Sequence, residues 1–274
     1  MSNAFAPSLL AGKSALVTGG GSGINLAIAK RFAAHGANVA IIGRTKEKLD
    51  AAAAELREFG GKAAGYPADV RDYDALAAAV SSARNDHGPI DIVVCGAAGN
   101  FPAPVLGMSA NGFKAVVDID LLGTFNTCRA AFEHLKRPGA SIINISAMQA
   151  VSPMAMQAHV CAAKAGVDML TKCLALEWGS EGVRVNSIAP GAVDETEGMM
   201  RLAPTPEIKK HYTQTIPLRR FAQKDEIADL ALFLCSDAAQ FITGAVVLCD
   251  GGQSLSGLGG RLADRAPKTP KTEG

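Results

Sequence analysis

Short runs of apolar, often β-branched residues alternate along the chain with longer segments in which apolar positions recur every three to four residues. The short runs fall at 14–18, 39–43, 63–67, 90–94, 141–145, 184–188 and 246–249. Each is rich in Val, Ile or Ala and reads as a strand buried on both faces. The periodic segments lie at 24–35, 46–59, 73–86, 112–135, 158–179 and 224–236 and read as amphipathic helices. Strand and helix in strict turn build βαβ units, and right-handed crossovers place the helices on both sides of one sheet. The pattern therefore predicts an α/β fold, a doubly wound parallel sheet of about seven strands with helices on both faces. No linker or charge block interrupts it before residue 252, so residues 1–254 are expected to form a single domain. The stretch 193–219, polar at its start and containing several prolines, reads as a flap of short helices. Residues 255–274 have little to bury and read as a flexible tail.

Composition narrows the partners. The 274 residues carry 27 Lys and Arg against 26 Asp and Glu, a net charge of +1. So weak a field gives no reason to expect a nucleic-acid partner. No apolar run approaches the roughly 18–20 residues that span a bilayer, and the N-terminus lacks a basic region followed by an apolar block, so neither membrane insertion nor export is expected. The six cysteines form no C-x-x-C pair, which suits a reducing compartment. The terminus Lys271-Thr-Glu-Gly is unlike a Ser-Lys-Leu address, leaving the cytoplasm as the default setting. His35, His87, His134 and His211 show no metal-ligand spacing; no metal is expected, and all four read as surface residues.

Chemistry enters directly after the first strand, with Thr18-Gly19-Gly20-Gly21-Ser22-Gly23-Ile24 opening a helix. Glycines let the backbone approach a pyrophosphate, whose charge meets free N–H groups and the positive helix end. Strand two ends in Gly43-Arg44. An acidic residue there would accept a ribose hydroxyl, whereas Arg44, joined by Lys48 one turn on, suits the 2′-phosphate of NADPH or NADP; Arg44 also reads as an ordinary loop cation. Asp69, ending strand three, either contacts an adenine amino group or caps the next helix.

Taken with Asp69-Val70, Lys164, Asn186-Ser187-Ile188-Ala189-Pro190-Gly191 and Asp250-Gly251-Gly252, the glycine run resembles the short-chain dehydrogenase/reductase family over about residues 10–253. That resemblance implies a Rossmann-type fold, a nicotinamide cofactor at the carboxyl ends of the strands, and a homotetramer, with 112–135 and 158–179 as contact surfaces. By the same likeness Gly19, Gly21, Ser22, Gly23, Ile24, Val70, Ala98, Gly99, Lys164, Pro190, Gly191, Val193 and Thr196 would line the cofactor.

The departures from the family pattern bear on the reaction. The family places a Tyr four residues before its Lys; here that position is Val160. No other tyrosine can substitute, since the residues four after Tyr66, Tyr73 and Tyr212 are Val70, Ala77 and Ile216. The family's Ser position holds Ala147, its helical Asn is Asp120, and its third Gly is Asn25. This set resembles the peroxisomal-type 2,4-dienoyl-CoA reductases, which share Ala97-Ala98-Gly99-Asn100-Phe101, Asp118-Ile119-Asp120, Gly123-Thr124-Phe125-Asn126, His159 before Ala163-Lys164, and Thr196-Glu197-Gly198. Cys95-Gly96 departs from that branch.

The branch resemblance implies an acyl-CoA substrate, hydride transfer from NADPH to a 2,4-dienoyl thioester, and a water held by Asp120 and Lys164 that protonates the product 3-enoyl-CoA. Arg71, Phe101, His159 and Arg201 would touch substrate, Arg44 would also reach CoA, and Met199, Met200 and Leu202 would line the acyl site. Asp120 has the plainer alternative of a salt-bridged helix carboxylate. His159 lies five residues before Lys164, about 100° off the stripe of a one-turn neighbour, which leaves a substrate-contact or helix-start role beside that of acid. Two other functions stay open: a 3-oxoacyl or ketone reductase lacking the usual Tyr, and an inactive NADP-binding scaffold.

Overall fold

All seven apolar runs become strands of one parallel sheet in the computed structural model, which describes residues 4–255. They are β1 (Ser14–Thr18), β2 (Asn38–Gly43), β3 (Ala63–Pro67), β4 (Ile92–Cys95), β5 (Ser141–Ile145), β6 (Arg184–Pro190) and β7 (Val246–Cys249). Their order is β3-β2-β1-β4-β5-β6-β7. Val17 pairs with Ile41 on one side and Val94 on the other. The direction of winding reverses between β1 and β4, and ligands of such sheets bind in the crevice at that reversal. The expected tail, 256–274, lies outside the described residues.

Alternate strand residues feed two apolar layers. Val17, Ile41 and Val94 face Ile28 and Phe32 of α1 (Gly23–Ala34), Leu49 and Leu56 of α2 (Lys46–Arg57), and Ile227 and Leu232 of α9 (Lys224–Cys235). Leu16, Ile42 and Val93 face Leu76 and Val80 of α3 (Tyr73–His87), Cys128 of α5 (Gly123–Ala131), and Leu174 of α6 (Ala158–Trp178). The flap contains α7 (Glu197–Leu202) and α8 (Pro206–Thr215). Thr196 and Thr205 cap them by accepting from Met199 and Ile208 N–H, and Pro206 sits where its missing N–H is harmless. Among the described residues no helix is long and apolar enough to cross a membrane.

Three expectations are corrected. The segment 112–135 is not one helix: α4 (Ala110–Val117) passes into a π-helical turn, Asp118–Leu122, then α5 and a 3₁₀ turn, Phe132–His134. The widened turn inserts a residue and rotates α5 relative to α4, while the close approach of Gly123 to Val70, where a Cβ would lie 2.5 Å from Val70 Cγ2, leaves room only for glycine. Strand four begins at Ile92, Ile90 forming instead an isolated bridge to Leu135. His35 is buried, its Nδ1 2.8 Å from Arg31 O and its ring edge-on to Phe5, and His87 is half-buried, with burial lowering its pKa. Both sit at helix ends, beside the rings of Phe5 and Tyr66, contacts that no local polarity pattern reports.

Phe32 is fully buried at the α1 face of the sheet. Phe32→Ala is expected to lower unfolding free energy by about 3–5 kcal/mol, read from denaturant midpoints; a loss below about 1 kcal/mol would show that α1 is not part of the core.

Candidate active site

A cleft of about 470 Å³ opens at the carboxyl ends of the central strands, where the winding reverses. Every residue that the sequence assigned to the cofactor lies on its wall, from the Gly19–Ile24 run through Arg44, Lys48, Asp69, Val70, Ala98 and Gly99 to Lys164, Pro190, Gly191, Val193 and Thr196. The glycine-rich part of this wall fits a diphosphate. Gly19 and Gly23 have φ of +69° and +61°, conformations that favour glycine, and a Cβ on Gly20 would lie 2.6 Å from Ile41 Cγ2. The first turn of α1 carries no acidic residue, so its positive end faces the cradle uncompensated.

The adenosine end is electropositive. Arg71 grips the Asp69 carboxylate through Nε at 3.0 Å and Nη2 at 2.6 Å, and these hydrogen bonds hold the Asp69 pKa below its ordinary value. Its charge is therefore spent on Arg71, and Arg44 and Lys48 stand on the rim with no carboxylate ending β2. The helix-capping role considered for Asp69 belongs to Asp72, which accepts from Ala75 N–H. These residues fit a 2′-phosphorylated dinucleotide.

The π turn aims Asp120 into the cleft. The side chain is 1% exposed; Oδ1 accepts from Gly99 N–H at 2.7 Å, and Oδ2 lies 3.2 Å from Lys164 Nζ. Lys164, on α6, also donates to Ile145 O at 2.8 Å. Asp120 is thus salt-bridged, but to a buried lysine on the cleft wall. Val160, one helical turn before Lys164, and Ala147, after β5, complete this corner with side chains that hold no transferable proton. One turn beyond Lys164, Asp168 accepts from Ser187 Oγ at 3.0 Å; burial raises its pKa, partly opposed by Ser146, Ser187, Lys172 and Lys164.

Two departures from the family pattern explain one another. Asn25 Nδ2 donates to Gly96 O at 2.7 Å, and a Cβ at position 96 would lie 2.0 Å from Asn25 Oδ1. The larger residue on α1 thus requires glycine after β4. Gly96 N–H is held in turn by Thr18 Oγ1 at 3.1 Å. Cys95 plays no part in the cleft: its Sγ lies 3.6 Å from Cys128 Sγ, and that contact and burial push its thiol pKa well up.

The four residues read as substrate contacts adjoin this wall without forming part of it. Arg71, Phe101, His159 and Arg201 do not line the cleft. Arg71 is engaged by Asp69. His159 is fully buried with its ring 4.5 Å from that of Phe101, edge-on. Arg201 donates to Asn100 O at 2.9 Å and pairs with Glu197, so it ties the flap to the loop after β4. Met199 and Leu202 line the wall as expected, whereas Met200 is 61% exposed. Asn100 and Gln149, not singled out from sequence as site residues, stand on the wall instead. Gln149 is two residues beyond Ala147, the one local signal that could have drawn attention to it.

A family model described as Enoyl-(Acyl carrier protein) reductase matches residues 19–254. The chain is 43% identical to a peroxisomal 2,4-dienoyl-CoA reductase, (3E)-enoyl-CoA-producing, of Arabidopsis thaliana, over 93% of this chain and 89% of that one. It is 40% identical to a probable 2,4-dienoyl-CoA reductase, (2E)-enoyl-CoA-producing, of Bacillus subtilis strain 168, over 89% and 97%. A crystal structure of a gluconate 5-dehydrogenase from Burkholderia cenocepacia J2315, in complex with NADP and tartrate, superposes with TM-score 0.85 at 31% identity, covering 92% and 98%.

The coupling of Asn25 with Gly96 is open to a direct measurement. Gly96→Ala is expected to destabilise the protein by about 1–3 kcal/mol through overpacking, and adding Asn25→Gly to recover most of that loss. Simple additivity in thermal melts would show that the two positions do not constrain one another.

Proposed function

Because the chain belongs to the short-chain dehydrogenase/reductase family of oxidoreductases, we propose that it reduces 2,4-dienoyl-CoA thioesters to 3-enoyl-CoA with NADPH. The observation that carries the reading is the buried Asp120–Lys164 pair on the cleft wall, beside Val160 and Ala147. A ketone reductase must protonate a carbonyl oxygen as it becomes an alcohol, and neither Val160 nor Ala147 has a proton to give. Conjugate reduction has no such requirement.

When bound, the reduced nicotinamide supplies a hydride, here to the δ-carbon of the dienoyl thioester. The new C–H bond displaces the γ,δ electron pair to the β,γ position and the α,β pair toward the carbonyl, whose own pair moves onto oxygen. The α-carbon then takes a proton while the oxygen pair re-forms the carbonyl, leaving the 3-enoyl thioester reduced by two electrons. Asp120 and Lys164 hold the water that delivers this proton. Gly99 N–H fixes one carboxylate oxygen and Lys164 the other, so the acceptor side of that water is set before substrate enters. Lys164 also brings a positive charge to the corner in which the enolate develops.

Arg44 and Lys48 select the phosphorylated cofactor, with Asp69 neutralised by Arg71. The cleft lining contributed by Met199 and Leu202 suits an acyl chain, methionine adapting to irregular apolar shapes. We also read the chain as a homotetramer: Phe125 on α5 and Met169 and Leu176 on α6 are 44%, 58% and 86% exposed, an apolar face suited to cover by another copy.

Purified protein is expected to oxidise NADPH with a 2,4-dienoyl-CoA faster than with acetoacetyl-CoA. Asp120→Ala should lower kcat by about 10²–10⁴-fold, the range for a lost acid–base group. Faster reduction of acetoacetyl-CoA would favour a ketone reductase, and NADPH binding without turnover a scaffold. Arg44→Ala should raise KM for NADPH about tenfold while sparing NADH; equal effects on both cofactors would remove Arg44 from 2′-phosphate recognition.

A further inference from the structure

The thioester oxygen that gains charge during conjugate reduction needs hydrogen-bond donors placed before the reaction begins. The positions that carry a phenol and a hydroxyl in the wider family are Val160 and Ala147, which donate nothing. Of the three Lys164 N–H donors, Ile145 O and Asp120 take two and the proton-delivering water takes the third. The corner between them therefore calls for another donor.

We infer that Gln149 is a catalytic residue that donates a hydrogen bond to the substrate's thioester oxygen, and that Gln157 is the residue that positions it. The inference rests on the thioester-reductase reading and names a further component of that site. Gln149 occupies the 3₁₀ turn Met148–Ala150 directly after β5 and stands on the cleft wall with Ala147, Val160 and Lys164. Its Nε2 donates to Gln157 Oε1 at 3.0 Å. A primary amide has two N–H groups; one is spent on Gln157, and none of the described residues accepts from the other.

Gln157 is built to hold that geometry. It is 1% exposed and stands at the N-terminal boundary of α6, where its carbonyl accepts from Cys161 N–H at 2.9 Å and its N–H donates to Met154 O at 3.2 Å. It precedes Val160 by three residues and Lys164 by seven, spacings that fall on one side of a helix. Gln157 thus begins the stripe that continues through Val160 to Lys164, and its grip on Gln149 sets the amide in register with the ion pair.

An amide in this place also suits the chemistry. It stabilises a negative oxygen by a hydrogen bond but has no proton to surrender near neutral pH. The oxygen can then return its electron pair to the carbonyl when the α-carbon is protonated, and the thioester survives. A phenol at the same spot can instead pass its proton to that oxygen, leaving a dienol that must still tautomerise before the thioester is restored.

The test compares wild-type protein with Gln149→Leu and Gln157→Met, using a 2,4-dienoyl-CoA and NADPH. Gln149→Leu should lower kcat by about 10²–10³-fold, as loss of one oxyanion donor does, while NADPH Kd by fluorescence titration and Tm stay unchanged. Gln157→Met should lower kcat less, and add nothing further in the Gln149→Leu background, since it acts through that side chain. Turnover by wild type with kcat of Gln149→Leu within about threefold overturns this inference alone. A parallel fall in NADPH affinity or Tm also overturns it, showing a structural role. Additive losses in the double variant overturn the positioning role of Gln157. Absence of wild-type turnover overturns the thioester-reductase reading and this inference with it.

Discussion

An ion pair removed from water is the constraint around which this site is arranged. Desolvating a carboxylate and an ammonium costs several kcal/mol per ion unless each finds further polar partners. Asp120 and Lys164 meet that demand with Gly99 N–H, in the loop after β4, and Ile145 O, at the end of the neighbouring β5. The pair is accordingly a product of sheet architecture: β4 and β5 must run side by side, α6 must lie across them, and the helix carrying Asp120 must be unwound by the right amount. Each of these elements is held elsewhere by ordinary apolar packing, so the core stabilises a charge arrangement that would not stabilise itself.

How much of this was readable in the chain depends on the range over which each feature is encoded. The strands were legible because a doubly buried strand is a local apolar run. The turn after β1 was legible because Gly19 and Gly23 report their own backbone angles, and the residues assigned to a cofactor share one cleft. The π turn was not, because Asp118-Ile119-Asp120-Leu121-Leu122 keeps the spacing of a regular helix. The packing beside it, where Gly123 approaches Val70 too closely for a Cβ, is between residues far apart in sequence. The surroundings of the residues read as substrate contacts were hidden for the same reason. Arg71 and Arg201 read as free cations until the fold brings Asp69, Glu197 and Asn100 to them, and His159 reads as polar until Phe101 covers it.

The Asn25–Gly96 contact shows a third case, in which two residues look like independent defects and are one compensated change. A side chain placed where a family uses glycine should crowd the sheet. It does not, because the volume is given back across the cradle and a hydrogen bond is gained. The result ties the loop after β4 to the first turn of α1, and that same loop supplies the N–H that braces Asp120.

Arg201 reaches from the flap to Asn100, the residue following Gly99 in that loop. Lifting α7 away from the body must therefore release the peptide adjoining the brace of Asp120. Through that one bond α7 becomes part of the scaffolding beneath the buried ion pair, although it touches neither charge.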